Sequence, residues 1–143
     1  MNNIVKDTRA AAFVEYTIER CMRNRGLAAA LRRADNQATE YQSWEHLIGF
    51  NVNLENEQER LPFVTIAAAI AKGKVESNGV IKLGVALAQA YEKKSKSDQA
   101  KAKLRRLLAC ESTTEICRLL RPLISFLHAK IGSQKLDLAD MLE

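Results

Sequence analysis

Apolar residues recur at three- and four-residue spacings along nearly the whole chain, and no stretch of useful length alternates apolar with polar. A helix gathers residues three and four apart onto one face, whereas a strand sorts them by twos. This contrast restricts the chain to an all-α fold: a single compact bundle of roughly seven to eight helices spanning residues 1–143. With only two prolines and six glycines there are few helix breakers, and an apolar share of 47% suffices for a packed core.

Phe13, Val14, Thr17, Ile18, Cys21 and Met22 define a helix over residues 8–24 that closes before Gly26. Leu27 and Leu31 carry a short second helix over residues 27–34, whose end holds Arg32 and Arg33, where cations also complement the helix dipole. A third helix over residues 39–50 is expected to turn Tyr41, Trp44, Leu47 and Ile48 inward, with Trp44 as a core anchor. A fourth runs over residues 57–71, with Pro62 marking a kink or its true first turn. The GKVESNG run at residues 73–79 reads as an exposed loop.

Helix returns at Ile81, with Leu83, Leu87 and Tyr91 beside Ile81, Val85 and Ala88 on its apolar side. KKSKSD at residues 93–98 reads as a charged connection to a helix that Leu104, Leu107 and Leu108 point inward. Ser112 and Glu115 match a capping box, which opens the last long helix. Its buried stripe is Ile116, Leu119, Leu120, Leu123, Phe126 and Leu127, with Arg118, Arg121, Ser125 and His128 opposite and Pro122 bending it. Residues 136–142 are expected to form a short terminal helix.

The net charge of +5 is unevenly placed. Residues 72–106 hold ten basic and three acidic side chains, whereas residues 36–71 hold one basic and five acidic. Lys101 with Arg105 and Lys103 with Arg106, spaced by four and three, flank the leucines as two basic edges. Such edges serve equally as an ordinary wet helix face or as a surface that displaces counterions from phosphates. Only Tyr91 lies within the basic stretch, so base stacking is not expected and backbone contact is favoured.

Chemistry is notable for its missing parts. Two histidines, His46 and His128, and three cysteines, Cys21, Cys110 and Cys117, show no zinc spacing, so no metal or other cofactor is expected. Cys110 and Cys117 read as small packing residues. There is no GxxxxGK phosphate loop, and AKGKV at residues 71–75 lacks the strand such a loop requires. Ser125 and His128 have no third partner to make a triad, so an enzyme is not expected. Glu55, Glu57 and Glu59 favour the start of the fourth helix. No apolar run approaches the roughly 20 residues of a membrane span. The odd cysteine count and polar beginning suit a reducing cytoplasm.

LRRAD at residues 31–35, LGVALA at 83–88, KLRRLLACES at 103–112, ICRLLRPLISFL at 116–127 and LDLADMLE at 136–143 occur in an order that resembles the CasB family. The resemblance covers nearly the whole chain. It implies the all-helical small subunit of the type I-E CRISPR surveillance complex Cascade, present as two copies and lacking an active site. The implied partners are the guide-RNA-carrying backbone subunits, the large subunit, a second copy of the chain, target DNA with its displaced strand, and guide RNA. Carried over by position, the candidate nucleic-acid-binding residues are Arg32, Arg33, Lys82, Arg105, Arg106, Arg118 and Arg121, to which Lys72 and Lys74 flanking the loop and Lys101 of the basic edge are added. Arg118 and Arg121 lead because they are placed opposite the buried stripe.

Two other readings fit the same composition. A free-standing helical regulator would need a recognition helix with base-reading side chains at its exposed start, and the Lys82 helix is too apolar for that. A structural adaptor would dock its positive face on an acidic protein surface. Steep loss of DNA affinity with salt would separate phosphate binding from the adaptor.

Overall fold

A computed structural model describes residues 2–90 and 94–142. The fold is all-α. Among the described residues there are seven α-helices: α1 (Asn2–Arg23), α2 (Arg25–Arg33), α3 (Trp44–Gly49), α4 (Glu57–Gly73), α5 (Leu83–Ala90), α6 (Lys94–Leu108) and α7 (Thr113–Ile131). Two 3₁₀ turns, Glu40–Ser43 and Asp140–Leu142, complete the order. No described helix is long and apolar enough to cross a membrane.

The centre of the molecule is α4. Leu61, Phe63, Val64, Ile66, Ala67, Ala68, Ile70 and Ala71 are all buried, so the helix is covered around its circumference rather than along one stripe. The small alanines let α1, α2 and α7 approach it closely, and α4 against α7 is the most extensive pairing. Asn56 caps α4 through its side chain, accepting from the Gln58 N–H at 3.1 Å, and Pro62 falls inside its second turn.

On the α1–α3 side Phe13 meets Phe63 edge-on at 4.7 Å and Phe50 at 5.1 Å between ring centres, geometries that add to simple area burial. His46 is buried beside them and stacks on Tyr16 at 4.7 Å. Arg20 can only donate, so its 3.1 Å contact makes His46 Nδ1 the acceptor, and Nε2–H then donates to Thr17 Oγ1 at 2.9 Å. The ring is thus held neutral; burial and then the Arg20 charge lower its pKa from 6.5 to about 4.

The third helix departs from its expected facing. It begins as a 3₁₀ turn, and that change of pitch leaves Leu47 and His46 inside while Tyr41 and Ile48 are each 59% exposed. Trp44 is 38% exposed and not a core anchor. Its indole N–H donates to Glu40 at 3.1 Å, covering the buried pair that Glu40 forms with Arg60 at 2.7 Å.

The second half is looser. KSKSD at residues 94–98 belongs to α6 rather than to a connection, because α6 already starts at Lys94. Leu104 and Leu108 do not point inward: Leu108 is 77% exposed, Leu104 lies at the surface, and only Leu107 is half-buried. Val85, expected on the apolar side of α5, is also exposed, whereas Ala86 and Leu87 are buried. Tyr91 and Lys93 lie outside the described residues, as do the side chains of Ala88, Lys94 and Lys96.

The α7 cap is as expected, with the Glu115 N–H donating to Ser112 Oγ at 3.2 Å. The buried stripe is rotated toward Cys117, Leu120, Leu123, Ile124 and Leu127, leaving Ile116, Leu119 and Phe126 half-buried at its margin. The opposite margin, with Arg121 and His128, is therefore partly covered instead of solvent-facing.

Residues 136–142 form no helix beyond the terminal 3₁₀ turn. Leu136 makes an isolated parallel bridge with Ile81, through Ile81 N to Lys135 O at 2.9 Å and Asp137 N to Ile81 O at 2.8 Å. Asn78 accepts from the Leu138 N–H at 2.8 Å and donates to Asp137 at 2.8 Å. A Cβ at Gly79 would lie 2.0 Å from the Lys135 carbonyl carbon, so only glycine permits this approach.

Candidate nucleic-acid interface

Among the described residues, helix α6 offers the largest group of cations without an ion pair. Lys101, Lys103, Arg105 and Arg106 are exposed, and none forms an ion pair with a described carboxylate. The helix supplies the spacing: residues three and four apart share a face, so the four charges lie in short rows. A groove of about 200 Å³ separates α6 from α7, with Lys103 and Arg106 on one wall and Leu119, Pro122 and Phe126 on the other. Burial raises the Cys110 thiol pKa, the Glu115 carboxylate adds to that rise, and the Arg106 and Arg118 charges oppose it. Arg118 is itself exposed.

A second cationic place lies between α2 and the end of α4. Arg25, Arg32 and Lys74 line an open groove of about 620 Å³. Lys74 terminates α4 in the left-handed region at φ 51°, which swings its side chain off the helix line and costs about 1–2 kcal/mol for a non-glycine residue. Sequence reasoning missed Arg25. Its spacing of seven from Arg32 on one helical face was the available signal.

The remaining candidates have intramolecular partners. Arg33 Nε donates to Gln42 Oε1 at 2.7 Å. Lys82 stands 3.6 Å from Asp140. Lys72 Nζ lies 2.5 Å from Asp35 Oδ2, and Arg121, only 18% exposed, lies 3.8 Å from the other carboxylate oxygen and donates to the Asp35 backbone carbonyl at 3.3 Å. The ten residues thus fall into an α6–α7 group, an α2–α4 groove, an Asp35 cluster, the single Lys82 pair and Arg33 on Gln42.

Neither of the more buried cysteines is an activated nucleophile. Burial raises the thiol pKa of both Cys21 and Cys117, opposite to what thiolate chemistry needs. No hydrogen bond joins Ser125 to His128 among the described residues, and no described cluster of His, Cys, Asp or Glu could hold a metal ion. What the surface can do is lay positive charge along a polyanion.

The family model described as CRISPR-associated protein Cse2 matches residues 27–143. The match takes in most of α2 and everything from there through the terminal turn, and with them all ten cations singled out in the sequence, while Arg25 lies just outside it. Searches of the curated proteins and of the solved structures each returned no match. An all-α chain whose motifs and family model agree over this span belongs to the CRISPR-associated protein Cse2 family, the CasB small subunits.

Proposed function

We propose that the chain is a non-catalytic small subunit of type I-E Cascade that grips nucleic-acid backbone without sequence preference and stabilises the R-loop on target DNA. Membership of the Cse2 family implies a place in a multi-subunit CRISPR complex. The observation that carries the finer reading is α6: four exposed cations with no described carboxylate partner. Neutralising phosphates with such cations releases condensed counterions and needs no base contact. In a guide-directed complex, pairing reads the target sequence, and strand exchange is nearly balanced. A few backbone contacts to the displaced strand are therefore enough to tip it.

The partners on this reading are the backbone and large subunits, a second copy of the chain, target DNA and guide RNA. One observation favours the adaptor alternative: Leu104 and Leu108 are exposed beside the same cations, as in a protein-docking face. Reconstituting the complex with and without this subunit, and following R-loop formation on matched DNA, separates the two. The backbone-contact reading expects loss of R-loop stability when Lys101, Lys103, Arg105 and Arg106 are all changed to Ala, with assembly intact. The adaptor reading expects Leu104→Ser, Leu108→Ser to prevent assembly, with the alanine variant behaving normally.

A further inference from the structure

Asp35 holds two cations that the α6 surface does not. It opens the segment after α2, and its carboxylate reaches Lys72 at the end of α4 and Arg121 in the middle of α7. The grip is uneven. Lys72 Nζ is 2.5 Å from Oδ2, but Arg121 Nε is 3.8 Å from Oδ1, beyond hydrogen-bond range, and this buried nitrogen makes no hydrogen bond. A planar guanidinium is best satisfied by an anion that accepts two parallel N–H bonds, as carboxylate and phosphate both can. Here the carboxylate is drawn to Lys72 and leaves the Arg121 edge unmatched.

The surroundings suit a larger oxyanion. Asp35, Lys72, Arg121, Ser125 and His128 line one cavity of about 150 Å³. His128 Nε2 is a second buried nitrogen there without a hydrogen bond. Gly73 lets the end of α4 close on the His128 ring, since a Cβ would lie 2.5 Å from Nδ1. The cluster still reaches solvent: the Asp35 side chain is 24% exposed and that of Lys72 is 42%. One negative charge faces two positive ones, so the cluster is cationic even while paired.

We propose that Asp35 acts as an internal substitute for a backbone phosphate, masking Lys72 and Arg121 until a nucleic-acid phosphate displaces its carboxylate. This rests on the backbone-binding function proposed above and adds a competition that limits it. A chain free of target keeps part of its positive surface neutralised, which lowers its hold on stray nucleic acid. A strand already captured by α6 then supplies phosphate at high local concentration.

The test is Asp35→Asn in the full chain, binding a single-stranded oligonucleotide across a salt series by fluorescence anisotropy. Unmasking is expected to tighten binding about fivefold at about 0.1 M salt while leaving the slope of log affinity against log salt near the wild-type value, because both chains neutralise the same phosphates once bound. Adding Lys72→Ala and Arg121→Ala to that variant should abolish the gain and make the slope shallower than wild type by about 0.7–1.4. A folded Asp35→Asn chain that binds as wild type would overturn the proposal and leave a plain structural ion pair. Should the variant not fold, the Arg121 Nε–H resonance of the wild-type chain gives the answer: movement on DNA addition supports displacement, and no movement while α6 amides shift overturns it. A gain from Asp35→Asn in a chain whose binding ignores α6 alanines would support the mask and overturn the α6 interface. Absence of binding by either chain overturns both.

Discussion

The α1–α4 half and the α5–α6 region are built from similar residue types and use them in opposite ways. In the first, arginines meet glutamates on facing elements: Arg9 with Glu59 at 2.6 Å and Arg60 with Glu40 at 2.7 Å. Its aromatic rings pack edge to face around Phe13. In the second, α6 lies against its neighbours along a narrow line, with Leu108 at the surface and four cations unpaired among the described residues. Whether a cation is structural or available therefore depends on the facing element, not on its own helix. Where the core is dense it brings carboxylates within reach; where packing is thin it does not.

Three comparisons probe this contrast, in falling order of effect. Phe13→Ala removes a fully buried ring touching Phe50 and Phe63, and should cost about 3–5 kcal/mol in a urea titration. Its counterpart, Leu108→Ala, should change stability by no more than about 0.5 kcal/mol, because that side chain is already in water. Equal losses from the two would erase the distinction.

The second probe is pH. His46 has a folded pKa of about 4 against an ordinary 6.5, so the unfolded chain takes up the proton more readily. Stability from the neutral ring is fully present above pH 6.5, falls as the pH drops toward 4, and falls no further below that. The loss should reach about 3 kcal/mol. His128, lowered by burial, contributes in the same direction. The diagnostic is therefore the difference between wild type and His46→Gln, whose melting temperature should vary less between pH 4 and 6.5.

The smallest effect is expected at Arg23, whose 2.8 Å pair with Glu19 is exposed on one helix face. Arg23→Ala should alter stability by about 0.3–0.5 kcal/mol. A larger loss by thermal melting would mean that surface pairs in this half matter more than their exposure suggests.

The same contrast explains what is legible in the sequence. Periodicity locates the helices and the Ser112 cap because both are local features. It misfaces Trp44 because a 3₁₀ turn alters the phase, and it turns Leu104 and Leu108 inward because an apolar stripe implies a partner that the fold does not provide. The central position of α4 is written in TIAAAIA, apolar on every face, although periodicity alone treats it as one more amphipathic helix. Candidate cations can be counted in the sequence, whereas the Asp35 pairs join residues 37 and 86 positions apart and belong to tertiary packing alone. The stripe makes Arg121 a leading candidate by placing it opposite the core. It lies instead at the packed margin facing Asp35.

The most direct test of α6 as the backbone-binding surface is the salt dependence of single-stranded DNA binding, comparing wild type with Lys101→Ala, Lys103→Ala, Arg105→Ala, Arg106→Ala. The account predicts an unchanged fold by circular dichroism, weaker binding, and a slope of log affinity against log salt shallower by about 3, near 0.7 for each phosphate no longer neutralised. A quadruple variant that keeps both the affinity and the slope of the wild-type chain would contradict it.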